Sequence, residues 1–453
     1  MKIALALGTL ALLIGCSSDD STSDSPDASG SSGSGGRSGS GGKSGGGGRA
    51  GSSGSSATGG SGGGAGVGGS SGLGGSAGTG GKAGSGGGAG TGGSAGTGGT
   101  GGTGTVPWNA GNPDGSCLAG IPAEGKAADT STPTSVVGTG TAASCTFAAL
   151  NSAVTKGGVI TFNCGSGAVT IPVTATLAVP TNLDTVVDGG RRITLDGRSS
   201  VRILSFNSPG WQTNVHRLTL QHIALINAKT TPVVAIPPAP APCSQGFNDG
   251  QGGAVYMRDG NLTVIDSIFT GNRAAPLGPD TGGGAIYVQG SMRGVVVVGS
   301  SFTQNAASNA GAVGGLFAEL HIYNSLFSQN TAIGNGANNN DPSKCSAINN
   351  GQNEIGSGGN GGAIYSDGNS VNVLLCGNKI VSNAAGTGAF GGGLFFTSNN
   401  MQGTLSIIDT NMTGNTGGHW TNVSTGTIQN AGTAVGTNCR SITIQNSTVQ
   451  GYP

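Results

Sequence analysis

From Gly252 onward the chain repeats itself. GGAVYMRDGNLTVIDSIFTGN is followed by GGAIYVQGSMRGVVVVGSSFTQN and, after a shorter copy, by GGAIYSDGNSVNVLLCGNKIVSN. Aligned on the apolar residue near the end of each unit, one column reads Leu225, Phe269, Phe302, Phe327, Ile380, Met412 and Val449. Five residues upstream stand Leu220, Val264, Val297, Ile322, Leu375, Ile407 and Ile444; seven upstream stand Leu218, Leu262, Val295, Leu320, Val373, Leu405 and Ile442. Every position is apolar in a chain whose apolar share is 34%, so chance does not account for the pattern. A separation of two is the strand period and puts both side chains on one face. The turn formers Asp266-Ser267, Gly299-Ser300, Asn324-Ser325, Asp409-Thr410 and Asn446-Ser447 lie between these strands and the last column. Asn272, Asn305, Asn330, Asn383 and Asn415 each follow that column by three residues.

Each repeat therefore reads as strand, sharp turn, short strand and Asn-bearing bend. A unit of about 30 residues with one apolar face cannot fold alone, but stacked neighbours bury a continuous core. The fold class expected is all-β, a solenoid of parallel strands roughly 4.8 Å apart with equivalent residues one above another. Stacked Asn272, Asn305, Asn330, Asn383 and Asn415 then form an amide ladder. Stacked like charges would repel, which fits a charged share of only 8%.

The motif GGA(I/V)Y followed by F-x-x-N, at 252–272 and 283–305, with a related copy at 361–383, resembles the repeat of polymorphic outer-membrane proteins. That resemblance implies a right-handed parallel β-helix of the pectate-lyase-like superfamily. The copy from Gly314 to Asn330 is shorter, and the copy from Gly391 to Asn415 has Met412 in place of Phe. CTFAALNSAVTKGGVITFNCGSGAVTI, from Cys145, is similar to the N-terminal caps of such helices, a short amphipathic helix followed by a first strand GGVITF. VVDGGRRITLDG looks like the first full coils. The resemblance covers Cys145 to Pro453 and speaks for fold far more than for activity.

Upstream the composition changes. MKIALALGTLALLIGC is one Lys, a short apolar run and LIGC, too short to span a membrane and suited to an export signal. Its ending resembles the lipobox of bacterial lipoproteins, which implies cleavage before Cys16 and lipidation of that Cys. From Ser17 to Thr105 the chain is almost wholly Gly, Ser, Ala and Thr, a composition that cannot bury enough apolar surface to offset its ordering entropy. Such a linker spans roughly 50 Å root-mean-square. The expected organisation is a lipoprotein signal at 1–15, lipidated Cys16 with a disordered linker at 16–105, a lead-in and cap at 106–180, and the β-helix at 181–453. The expected location is the cell envelope, at the outer membrane, surface-exposed or periplasmic.

Export permits disulfides. Cys145 and Cys164 flank one short predicted helix and strand and are paired on that ground; Cys117, Cys243, Cys345, Cys376 and Cys439 cannot be paired from sequence. Formal net charge is +0 and no basic run accompanies aromatic residues, which argues against nucleic acid. Arg191, Arg192, Arg198 and Arg202, close to Asp188 and Asp196, read as a self-paired patch.

An enzyme of the superfamily needs convergent carboxylates with His and Arg or Lys, or Ca²⁺-binding acids with a base. His216, His222, His321 and His419 lack such a context, and Lys229, Lys344 and Lys379 are isolated. Asp249, Asp259, Asp266 and Asp280 have the oxygens for Ca²⁺, yet Asp266 stands in a turn column. No catalytic residue, metal ligand or cofactor is assigned. The longest insertions, Lys229 to Gln251 and Thr331 to Asn360, occupy one slot of the repeat and would form a polar rim. A column Tyr256, Tyr287, Phe317, Tyr365, Phe395 is either an aromatic platform for sugars or an internal stack. The function expected is non-catalytic adhesion or glycan binding by a cell-surface lipoprotein. Its partners are the membrane, through the lipid, and a surface polysaccharide or neighbouring cell surface. The alternative is a polysaccharide lyase or glycoside hydrolase.

Overall fold

The apolar columns fall into register. In a computed structural model, which describes residues 12–15, 108–233, 249–276, 278, 281–334, 358–386, 389–417 and 434–451 (12–15 and 438 as backbone only), Leu218, Leu262, Val295, Leu320, Val373, Leu405 and Ile442 are consecutive partners in one parallel sheet. Leu225, Phe269, Phe302, Phe327, Ile380, Met412 and Val449 are partners in the same way. All of these side chains are buried in one apolar core. Phe269, Phe302 and Phe327 stack ring on ring, with centroids 4.9 and 4.7 Å apart. A second parallel sheet runs through Leu204–Asn207, Val255–Arg258, Ile286–Gln289, Val313–Leu316, Ile364–Gly368, Leu394–Ser398 and Val435–Asn438. The chain is thus mostly β, with long parallel sheets stacked layer on layer, an arrangement consistent with a parallel β-helix or solenoid.

Two bends define each layer, and each carries a ladder. At the first, His222, Asp266, Gly299, Asn324, Gly377, Asp409 and Asn446 all take positive φ, between 43° and 72°. The residue after each is small and polar, except Ile223 after His222. Its backbone N–H donates to the side chain one layer on, from Ser267 to Ser300 Oγ, Ser300 to Ser325 Oγ, Ser325 to Asn378 Oδ1, Asn378 to Thr410 Oγ1 and Thr410 to Ser447 Oγ. At the second bend, Asn272, Asn305, Asn330, Asn383 and Asn415 stack; the Nδ2 of each of the first four donates to the next Oδ1 at 2.9–3.0 Å. Gln450 Oε1 accepts from Asn415 N and ends the series. The paired glycines that follow have a steric cause. A Cβ on Gly253, Gly284, Gly311 or Gly362 would lie 2.1–2.2 Å from the carbonyl oxygen of the equivalent glycine in the next layer.

The N-terminal end is closed by the helix Phe147–Lys156, whose Thr146 side chain caps the Ala149 N–H and whose Leu150, Ala153 and Val154 are buried. A Cys145–Cys164 disulfide ties this helix to the end of the strand Gly158–Phe162. The strand Leu12–Gly15, which the sequence assigns to the export signal, pairs antiparallel with Ser441–Gln445 of the last layer.

The lead-in does not stay at that end. From Trp108 it climbs the outside of the first bend, with Gly111 N on Ser301 Oγ, Asn112 N on Asn324 O and Leu118 N on Asp409 Oδ2. It then returns, with Thr263 Oγ1 donating to Glu124 O, Ala128 N to Gln221 Oε1 and Thr130 Oγ1 to Asp188 Oδ2. A Cys117–Cys376 disulfide fastens the apex. This strap buries a small apolar cluster of its own, centred on Val296, Tyr323 and the disulfide with Ile121 packed against it.

Candidate functional site

Beneath the strap the stacking brings together acids and a base that the sequence keeps apart. Asp188 lies on the strand Thr185–Asp196, His222 on Arg217–Ile226, and Asp266 in the turn one layer on. His222 Nδ1 is 3.1 Å from Asp188 Oδ1, and its Nε2 is 3.9 Å from Asp266 Oδ2. Two carboxylates flanking an imidazole are an acid–base inventory. Each, however, is already engaged. Asp188 accepts from Thr130, Gln221 and the Gly190 N–H as well as facing His222. Burial acts to raise its pKa, but the hydrogen bonds from Gln221, Gly190 and His222, together with the His222 charge, outweigh burial and hold it below the usual carboxylate range. Asp266 accepts Trp108 Nε1 at 2.9 Å and pairs with Arg191. Trp108 and Thr130 belong to the strap, so these carboxylates anchor it.

This corrects the reading of the arginines as self-paired with Asp188 and Asp196. Arg191 pairs with Asp266, two layers further along, while Arg202 donates to the carbonyls of Gln251 and Gly252 and lies 5.0 Å over the Tyr256 ring.

The acids considered for Ca²⁺ do not form one group among the described residues. Asp249 accepts from Val233 N, and Asp259 is buried and accepts from Thr213 N, Asn214 N and Thr213 Oγ1. Asp266 is held as above, and Asp280 lies outside the described residues. The one trio of metal-type donors found among the described residues is Cys117, Cys376 and Asp409. Its sulfurs are joined in the disulfide, so they are not thiolate ligands.

The aromatic column needs a correction of register. Tyr287 pairs with Gly314, and Gly314 with Tyr365, so Phe317 is not a member; the column is Tyr256, Tyr287, Gly314, Tyr365, Phe395. It is a buried column and not an open platform, and Tyr365 and Phe395 stack with ring centroids 5.4 Å apart. Its flanking residues Val255, Ile286, Ile364 and Leu394 fill the main core, so the rings point away from it. They are buried outside that core, Tyr256 and Tyr287 in a cluster with Leu316, and Tyr365 and Phe395 in one with Ala310 and Phe390. Two residues past Tyr365, Asp367 is buried among them; burial pushes its carboxyl up to about 6 against the hydrogen bonds from Tyr365 Oη and Asn399 Nδ2.

On the outer side of the Asn ladder lies an open groove of about 530 Å³ lined by Arg273, Gln304, Ala306, Gln329, Thr331 and Ile333. Gln304 and Gln329 precede ladder asparagines and hold φ of 56° and 57°, positions where Gly271, Ser382 and Gly414 stand in other layers. Gln304 Nε2 donates to Gln329 Oε1 at 3.3 Å, and one Arg273 guanidinium nitrogen donates to Gln304 O at 2.7 Å. Lys229 pairs across the stack with Arg273, and Arg273 with Ala306. Lys229 and Arg273 are both exposed, and neither has an ion pair among the described residues. Both long insertions begin in this column, at Lys229 and Thr331; their interiors, 234–248 and 335–357, lie outside the described residues. The signal for Gln304 and Gln329 was present in the endings FTQN and FSQN against FTGN, one residue before the column that was read.

Cys16, Cys243 and Cys345 lie outside the described residues, as does the linker; Cys439 is buried. Comparison with protein-family models, with curated proteins and with solved structures gives no match.

Proposed function

We propose that this protein is an exported, non-catalytic binding scaffold that engages polysaccharide or a neighbouring cell surface through the groove beside the Asn ladder. The observation that carries the reading is the contrast in saturation. The carboxylates that an acid–base mechanism would use are held by donors of the chain's own strap, whereas Arg273, Gln304 and Gln329 line an open groove with donor capacity to spare. In this reading the stack is a right-handed parallel β-helix of the pectate-lyase-like kind, with repeats like those of polymorphic outer-membrane proteins. Right-handed crossovers are the rule for parallel strands. Cys16 carries the lipid, and the Gly/Ser linker extends the scaffold from the envelope. The test is retention of the full-length protein on immobilised polysaccharides, with assays for reducing ends and unsaturated uronates in parallel. Binding without product supports the reading; product formed at a rate that follows protein concentration overturns it.

A second reading, a polysaccharide lyase or glycoside hydrolase, rests on the Asp188, His222 and Asp266 grouping alone. It requires the strap to leave, and cleavage abolished by Asp188→Asn in a folded protein would favour it.

A further inference from the structure

We infer that reduction of the Cys117–Cys376 disulfide turns the apex of the strap into a site for a thiophilic divalent cation of the Zn²⁺ kind, with Cys117, Cys376 and Asp409 as its ligands. Each offers one donor atom, the two sulfurs and a carboxylate oxygen, and the three lie within 4.8 Å of one another. On a tetrahedral Zn²⁺ two sulfurs stand about 3.8 Å apart and a carboxylate oxygen about 3.5 Å from each, so the donors already enclose the space such an ion needs. A dithiol reductant supplies the two electrons and two protons: the S–S bond breaks, two thiols form and the reductant closes its own disulfide. Zn²⁺ then displaces both thiol protons to solvent and binds the thiolates and the carboxylate, with water in the fourth position.

The fold keeps the two thiols together once their bond is broken. Cys376 ends the sheet strand Asn372–Cys376. The strap is held on both sides of Cys117 by contacts independent of the disulfide: Cys117 N on Asn324 Oδ1, Leu118 N on Asp409 Oδ2, Asn112 Nδ2 on Gly377 O, and Asp114 paired with Lys379. The Asp409 carboxylate is oriented as well, its Oδ2 3.9 Å from Cys376 Sγ and its Oδ1 accepting from Asn446 Nδ2. Both cysteines are buried in the apolar cluster with Val296 and Tyr323, whereas Asp409 is half-buried. A thiolate in that cluster has little water to stabilise it, and a cation held by both sulfurs replaces the missing solvation. The donor set selects the ion. Two thiolates alone suit Cu⁺, all-oxygen sites suit Ca²⁺ and Mg²⁺, and two thiolates with a carboxylate suit a borderline cation. The strap is thereby fastened in both redox conditions, covalently when oxidised and through the metal when reduced.

The experiment reduces the full-length protein with dithiothreitol, removes the reductant under argon, and titrates Co²⁺ as a spectroscopic probe and Zn²⁺ against a competing chelator. The inference expects a thiolate-to-Co²⁺ charge-transfer band in the reduced protein, none in the oxidised protein, and its loss when Zn²⁺ is added. Cys117→Ser with Cys376→Ser should abolish the band although every other cysteine is still present, and Asp409→Asn should weaken Zn²⁺ binding at least about tenfold. Limited proteolysis gives a second readout: reduction without metal should open the strap to cleavage between 108 and 134, and Zn²⁺ should restore protection. A band unchanged in the double serine variant places the metal on other cysteines and overturns the inference, as does no band in the reduced parent. Zn²⁺ binding indifferent to Asp409→Asn, or tighter Cu⁺ binding that is equally indifferent, overturns the three-ligand site. Cleavage of the reduced strap at the same rate with and without Zn²⁺ overturns its fastening by metal. Loss of the stack on reduction, seen by circular dichroism and not reversed by Zn²⁺, counts against the inference as well.

Discussion

Two faces of the same stack treat polar groups in opposite ways. On the strap side, His222 lies between Asp188 and Asp266, and each carboxylate meets donors from the strap and from neighbouring layers. Beside the Asn ladder, Lys229 and Arg273 stand without a counter-charge among the described residues, and two glutamines, like Ser382 in another layer, hold a left-handed backbone conformation and line an open groove. The first arrangement is what a fold does with charge when it needs a tether. The second makes physical sense when the missing partner comes from outside. A titratable cluster is therefore poor evidence for activity until its hydrogen bonds have been counted.

The comparison assumes that the stack beneath both faces is rigid, so the largest expected effect comes from breaking the ladder. Asn330→Ala removes the acceptor for Asn305 N and Nδ2 and the donor to Phe302 O, all buried. With buried unsatisfied groups costing about 1–3 kcal/mol each, the variant should lose about 3 kcal/mol or more, seen as a lowered midpoint in thermal or urea unfolding. Next comes the strap. Cys117→Ser with Cys376→Ser should destabilise the fold by about 2–4 kcal/mol and expose the strap to limited proteolysis, with cleavage mapped between 108 and 134. Retention of full protease resistance would show that the hydrogen bonds alone hold it.

Asp367 sharpens the comparison through pH. Its folded pKa, about 6, is raised above the unfolded value of about 3.9, so the folded state holds the proton more tightly. The associated stability is fully present below about pH 4 and is lost as pH rises through about 6. Asp367→Asn should flatten that decline, by up to about 3 kcal/mol between those limits. Asp188 has the opposite sign. Its depressed pKa contributes stability above the unfolded value that is lost as pH falls below about 4, so Asp188→Asn should weaken the acid limb and cost about 1–2 kcal/mol at neutral pH. The smallest effect belongs to Ser366, whose buried Oγ has no partner among the described residues; Ser366→Ala should be neutral or stabilise by about 1 kcal/mol in the same unfolding assay.

What could be read from the sequence was what repeats. The three apolar columns and the five ladder asparagines recur at fixed offsets, so their stacking follows from periodicity. The serine, threonine and asparagine ladder of the first bend was visible only as turn formers, because its members differ in type and the hydrogen bonds join residues 25–53 positions apart. The strap, its disulfide and the grouping of Asp188, His222 and Asp266 were not legible at all. They arise once, between segments whose neighbourhood is set by which layer lies above which, and no local pattern encodes that. Phe317 was misassigned to the aromatic column because the shorter repeat shifts the register, putting Gly314 there instead.

The central claim is that the two faces have separate roles, and one paired measurement addresses it: polysaccharide affinity and unfolding midpoint, recorded together for Arg273→Gln and for Asp188→Asn in the full-length protein. The account predicts that Arg273→Gln loses affinity and keeps its midpoint, while Asp188→Asn lowers the midpoint and keeps its affinity. The reverse pattern, with Asp188→Asn abolishing ligand turnover or binding at an unchanged midpoint, would contradict it.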